Sequence, residues 1–233
     1  MTGRERILKS LNHEEPDHAP YDLSGTTVTA ITKNAYQKAM TYRGWSTEYN
    51  PEVVDPIQSI ITPSEENLLK LKSDTRRIGA TRIPEYEKNK IVEGDTISVY
   101  DFYGCKWDYH PETDLYFHLV SNPLGGYENI SENLERLPRP QWDTYITNLE
   151  ACMSRQIGMI GDFCGIADRN TAGFTENSLR IRGYESWYMD TLIDTAGVEA
   201  LLEIILEDKI RYWDAVIDWL IKTGNEQKIQ IIH

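Results

Sequence analysis

The side chains best suited to chemistry lie in short, widely separated stretches. Asp22 stands in "DLSGTT", followed by Gly25, Thr26 and Thr27. An aspartate so placed either meets a ligand through its carboxyl group or folds into an Asx turn that caps the next helix. Arg76 and Arg77 are adjacent in "DTRRIGA"; guanidinium groups grip carboxylates through paired N–H donors, or else form salt bridges with the chain itself. "GDFCG" supplies Asp162 as a polar anchor and Phe163, Cys164 and Gly165 as a pocket wall. A lone buried cysteine such as Cys164 is more often a small hydrophobe than a nucleophile. "RIRGYESW" contributes Arg180, Arg182 and Tyr184, which suit a lid or an anion site as well as helix-surface pairing. His233 ends the sequence after the apolar run "IQII". His110 and His118 read as structural or exposed, with no cysteine or carboxylate at ligand spacing.

These residues need a scaffold, and local signals outline one. Thr2 followed by Glu5 is a capping box that opens a first helix, which ends before Pro16. "HAPYDLSGTT" reads as a first extended segment, and "VTAITKNAYQKAMTYRG" as a helix stopped by Gly44. Ser64-Glu65-Glu66 opens another helix, and "DTRRIGA" is a second core strand. "TISVYDFYGCKWDYH" and "DLYFHLVSNPL" are rich in β-branched and aromatic residues and predict an antiparallel hairpin insertion at about 95–125. "DTYITNLEACMSRQ" returns to a helix, and "IGMIGDFCG" reads as the third strand. A helix around "ENSLRIRGYESWYMDTLI" and a long one over "GVEALLEIILEDKIRYWDAVIDWLI" precede the fourth strand, "KIQIIH". Strands alternating with helices predict an α/β fold with parallel βαβ units. With about four core strands, the pattern predicts an incomplete TIM-type (β/α)8 barrel forming a single partial domain over 1–233. A complete barrel takes about 250 residues. In such barrels the reacting groups sit at the C-terminal strand ends. By that rule Asp22, Arg76, Arg77, Asp162, Phe163 and His233 gather at one mouth.

Composition narrows the partners. The chain has 24 basic and 37 acidic residues among 233, a net charge of −13. Phosphate contacts require a basic face, so nucleic acid is not an expected partner. No apolar run reaches the roughly 18 residues of a membrane span. The charged N-terminus is unlike a secretory signal, and the three cysteines form no C-x-x-C pair. The expected location is the cytoplasm.

Several of these segments together resemble one family. "GRERILKSLNHEEPDHAPYDLSGT", "LLKLKSDTRRI", "DFYGCKWDYH…LYFHLVSNPLGGYENISENLERLPRP" and "LRIRGYESWYMDTLIDTAGVEALLEIILEDKIRYW" are similar, in this order, to segments of the uroporphyrinogen decarboxylase superfamily. The likeness is greatest to its corrinoid methyltransferase-like and uncharacterised branches. The resemblance implies a TIM-type barrel and a small-molecule tetrapyrrole or a corrinoid protein as partner. The chemistry it implies is corrinoid-linked methyl transfer or, alternatively, decarboxylation of uroporphyrinogen in porphyrin biosynthesis. Independently of the resemblance, the strand-end rule makes Asp22 and Asp162 the candidate catalytic groups and Gly25, Thr26, Arg76, Arg77, Phe163 and His233 candidate substrate-binding groups, with Tyr184 added as a lid or anion-binding residue. The family's decarboxylases carry an arginine-rich signature after the first strand, where this chain reads "DLSGTTVTAITKN" with no arginine. "IPEYEK" at 83–88 looks like a remnant of that signature in the wrong place and is treated as coincidence. The family's methyltransferases hold zinc through His-x-Cys and a distant cysteine; no His-x-Cys occurs here, so zinc and a corrinoid are expected only of a longer parent. Family members continue through further strands, so the expectation is a fragment, inactive alone, whose open edge favours self-association or partner binding.

Overall fold

Residues 1–46, 48, 51–81, 90–126 and 128–233 are described by the structure, a computed structural model. It is a mixed α/β chain dividing into two compact units. One comprises Met1–Ile83, Ile146–Arg169 and Val216–His233, the other Pro84–Tyr145 and Asn170–Ala215. Among the described residues no sheet closes into a barrel. No helix of the described residues is long and apolar enough to cross a membrane.

The first unit is built on a parallel sheet of β4 (Thr75–Ile78), β9 (Cys164–Ala167) and β10 (Ile229–Ile232), in that spatial order. Thr75 pairs with Cys164 and Arg77 with Ile166. Because side chains alternate along a strand, Thr75, Arg77, Cys164 and Ile166 share one face. On this face Ile7 of α1 (Gly3–Leu11) packs on Cys164 and Ile166 of β9, together with Ile231, while Thr75 keeps the start of β4 polar. The Arg4 N–H anchors α1 to the Asp162 carbonyl, 3.0 Å away. The expected capping box is present, with the Glu5 N–H donating to Thr2 Oγ1 at 3.1 Å and the Thr2 N–H to Glu5 Oε2 at 2.9 Å. Thr2→Ala is expected to lower the unfolding free energy by about 1 kcal/mol, the usual effect of losing an N-cap hydroxyl. A urea titration reads it, and no change would mean that α1 is held by packing alone.

The glycine stop at Gly44 is also borne out: α2 (Lys33–Arg43) ends there with φ 64°. α2 packs Tyr36 and Met40 on Ile61 of β3 (Ile60–Thr62), which pairs with β1 (Ile31–Thr32) and β2 (Glu52–Asp55) in a small antiparallel sheet. Ser64 caps α3 (Glu65–Lys70) as its sequence suggests.

Two strand expectations need correction. The segment "HAPYDLSGTT" forms no regular strand. Residues 21–23 run beside the start of β4, but side chains carry much of the pairing. The Asp74 N–H donates to the Tyr21 carbonyl at 2.7 Å, the Tyr21 N–H donates to Asp74 Oδ2 at 2.9 Å, and the Leu23 N–H donates to Ser73 Oγ at 3.1 Å. The apolar run "IGMI" is likewise not strand: α4 (Trp142–Gln156) continues into a 3-10 turn at Ile157–Met159. A left-handed turn at Gly161, φ 46°, then admits β9 only from Cys164. A short apolar run carries no period that separates buried helix from buried strand.

The second unit holds the expected insertion as a four-stranded antiparallel meander. Its strands are β5 (Ile91–Glu93), β6 (Thr96–Tyr100), β7 (Lys106–Tyr109) and β8 (His118–Ser121). Phe102 meets Trp142 and Tyr145 edge-on, with ring centroids 5.5 and 5.4 Å apart. The single helix expected around 176–193 is broken in two, α5 (Phe174–Arg182) and α6 (Tyr184–Ile193), by Gly183 at φ 91°. Buried Arg182 fastens this corner, donating to Asp190 Oδ2 at 2.5 Å and to the Leu124 carbonyl at 2.8 Å. The long helix is α7 (Thr195–Thr223), followed by Gly224 in the left-handed region.

Candidate functional site

At the C-terminal end of the β4-β9-β10 sheet the shared face is polar. β9 ends in Ala167, and the next residue, Asp168, is wholly buried. Its Oδ2 accepts from Arg77 Nε at 2.7 Å and from the Thr27 backbone N–H at 3.0 Å. Its Oδ1 lies 3.0 Å from His233 Nδ1. Burial pushes the Asp168 carboxyl up, but the Arg77 charge and the hydrogen bonds from Arg77, His233 and Thr27 outweigh it, so the net position is below the usual range. Asp168 is therefore ionised near neutral pH and only accepts hydrogen bonds.

The strands deliver these groups together because their ladder continues past them. The Asp168 N–H donates to the Ile78 carbonyl and the His233 N–H to the Ala167 carbonyl, each at 2.9 Å. Arg77 is oriented by a second bond, Nη2 to the Ala80 carbonyl at 2.8 Å; among the described residues its buried Nη1 has no hydrogen-bond partner. Deeper on the same face, Thr75 Oγ1 donates to Asp22 Oδ1, which also accepts from the Gly25 N–H at 2.9 Å. Thr26 closes the turn on Thr29, its N–H donating to Thr29 Oγ1 at 3.1 Å. Gly25 has no alternative here: a Cβ would come within 2.4 Å of Asp22 Oδ1 and 2.9 Å of Ile166 Cδ1.

The structure thus brings Arg77 and His233 together on Asp168, with Gly25 and Thr26 in the adjoining turn that supplies Thr27; Asp22 lies lower, on Thr75 at the start of β4 instead of at the strand ends. It does not bring in the others. Asp162 and Phe163 precede β9, so they sit at the opposite, N-terminal end of the strand from the one expected, and Asp162 is exposed. Their displacement follows from the 3-10 turn that shifts the strand start to Cys164. Arg76 alternates to the other sheet face, where Nε and Nη2 grip Glu65 at 2.8 and 2.7 Å and the guanidinium lies 3.6 Å over the Phe163 ring. Its bonding capacity is further used by the Ser73 and Thr75 carbonyls. Tyr184 opens α6 in the second unit and is exposed. Residues 83–88 lie outside the described residues. A comparison with protein-family models, curated proteins and solved structures finds no match.

Asp168 escapes a reading by motif. The available signal was "CGIAD", an apolar run ending in an acid, which marks a strand's C-terminal end once the strand start is known. His110 and His118 also have a missed carboxylate partner. Asp114 Oδ2 lies 2.9 Å from His110 Nδ1, and Oδ1 lies 3.6 Å from His118 Nε2, four positions from each in sequence. Among the described residues, however, no three His, Cys, Asp or Glu side chains form a group suited to holding a metal.

Chemically, the sheet face offers a hydrogen-bond acceptor at Asp22 near the start of β4 and, toward the strand ends, a buried donor at Arg77 Nη1 and an imidazole clamped by a carboxylate. Such a set can bind a ligand carrying N–H and carbonyl groups, and can move a proton.

Proposed function

We propose that this chain is a cytoplasmic portion, inactive alone, of an enzyme of the uroporphyrinogen decarboxylase type, an incomplete TIM-type barrel whose full-length parent acts on a tetrapyrrole. Corrinoid-linked methyl transfer is the preferred reaction and uroporphyrinogen decarboxylation the second reading. One observation carries the proposal: Thr27, Arg77, Asp168 and His233, drawn from the turn at residues 24–29, β4, the end of β9 and the end of β10, converge toward the C-terminal ends of parallel strands. That is where α/β barrels place their chemistry. Three buried free cysteines are in keeping with a reducing compartment.

Methyl transfer is favoured by how the arginines are used. Arg76 is held by Glu65 and Arg77 by Asp168, so each cation already faces a carboxylate of the chain. A substrate with eight carboxylates would find little uncompensated positive charge at the cluster, on a protein of net charge −13. In this reading Asp22 Oδ2, which no described residue engages, accepts a ligand N–H, and Arg77 Nη1 donates to a ligand oxygen. The zinc of the family's methyltransferases does not fit the residues present. Cys164 is sealed under Ile7, and burial pushes its thiol up to about 11, away from the thiolate a metal requires. No step here passes through zinc.

Absorbance titrations with methylcobalamin and with uroporphyrin as the octacarboxylate probe test the reading. Methylcobalamin is expected to bind, and Asp22→Ala to weaken it on the order of tenfold, the loss of one net hydrogen bond. Preferential binding of uroporphyrin would move the assignment to decarboxylation, and binding of neither would remove the tetrapyrrole reading.

A further inference from the structure

We infer that His233 is the proton-transfer group of this cluster and that Asp168 is its positioning residue, holding the ring so that Nε2 presents a lone pair to a ligand X–H group. The inference starts from hydrogen-bond inventory. Asp168 is ionised and can only accept, so at 3.0 Å the ring nitrogen facing it, Nδ1, must carry the hydrogen. In a neutral imidazole the other nitrogen is then unprotonated. Among the described residues nothing donates to Nε2, and the His233 side chain is 31% exposed, against 0% for Asp168. The hydrogen-bonded edge is therefore the covered one.

Asp168 is itself immobilised. Arg77 Nε and the Thr27 N–H hold Oδ2, and Oδ1 faces the imidazole. The His233 main chain is fixed independently by its N–H to the Ala167 carbonyl. Ring and carboxylate are thus each anchored to a different strand, and the geometry is built before any ligand arrives.

The step balances simply. Nε2 takes the proton, the X–H bond breaks with its electron pair left on X, and the imidazolium keeps its Nδ1–H on Asp168, whose charge compensates it. A thiol suits this role if the methyl-transfer reading holds, because the resulting thiolate is the nucleophile that reading requires. The tautomer itself does not depend on that reading, so its test is separable from tetrapyrrole binding.

The test is 15N NMR of the ring nitrogens in the full chain labelled at its five histidines, with His233 assigned by its disappearance in His233→Gln. The expected signature is an Nδ1–H tautomer for His233 without any ligand; an Nε2–H tautomer overturns the inference. A second readout is carbethoxylation of His233 by diethyl pyrocarbonate, mapped by mass spectrometry. Asp168→Asn is expected to slow it roughly tenfold, the effect of losing a charge-assisted hydrogen bond. An unchanged rate in a folded Asp168→Asn protein would show that Asp168 does not position the ring.

Discussion

Replacing Asp168 by alanine is expected to lower the unfolding free energy of the first unit by about 3–5 kcal/mol, the range for breaking a buried ion pair from one side. The variant leaves the Arg77 guanidinium, with only 8% of the residue exposed, without its carboxylate. It also removes the acceptor of the Thr27 N–H and of His233. Asp168→Asn keeps the shape and an accepting oxygen, so it should cost clearly less. Urea unfolding of the three proteins checks the order, and a loss below about 1 kcal/mol for alanine would mean that water replaces the carboxylate. The same residue makes stability depend on acid. Its folded-state carboxyl lies below its unfolded value, so its contribution is present above the unfolded value, about 3.9 for aspartate, and is lost as pH falls through the folded one. Asp168→Asn should remove that part of the acid sensitivity.

Gly165→Ala is the second large effect expected, and it works through geometry instead of charge. A Cβ at Gly165 would lie 2.2 Å from the Lys228 carbonyl oxygen and 3.0 Å from Ile160 Cδ1 and Ile229 Cδ1. Backbone cannot swing aside as a side-chain tip can, so β10 must shift or separate from β9. Overpacking of this kind costs about 1–3 kcal/mol, and backbone contact places it at the upper end. The signature is local: residues 226–233 should lose amide protection in hydrogen exchange while β4 keeps most of its own. His233, carried by β10, should lose its contact with Asp168 at the same time. Unaltered protection of the C-terminal peptide would show that β10 accommodates the methyl group.

The candidate site divides by how far apart its partners lie in the sequence. Asp22 with Gly25 is legible, because an Asx turn spans three residues and its signal is local. Arg77 with Asp168 is not, because 91 positions separate them and no local pattern records which strand an arginine will face. Arg76 and Arg77 are chemically identical neighbours, yet strand alternation sends one to Glu65 and the other to Asp168. Asp162 falls at the opposite strand end for a related reason: one extra helical turn before β9 moves the strand start, and with it which acid sits at the C-terminal end.

By itself, then, the sequence determined whatever rests on near neighbours. That includes the capping box at Thr2, the Ser64 cap, the glycine stop at Gly44, and the aromatic, β-branched stretch that pairs as β6 to β8. Only the tertiary structure decided that β9 lies between β4 and β10, that Asp168 is the buried acid joining Arg77 to His233, and that Gly183 divides one helical stretch into two. The physical reason is that caps and turns are settled by bonds within a few residues. The ionised, buried Asp168 is tolerable only once strands distant in sequence bring it a cation and two further donors.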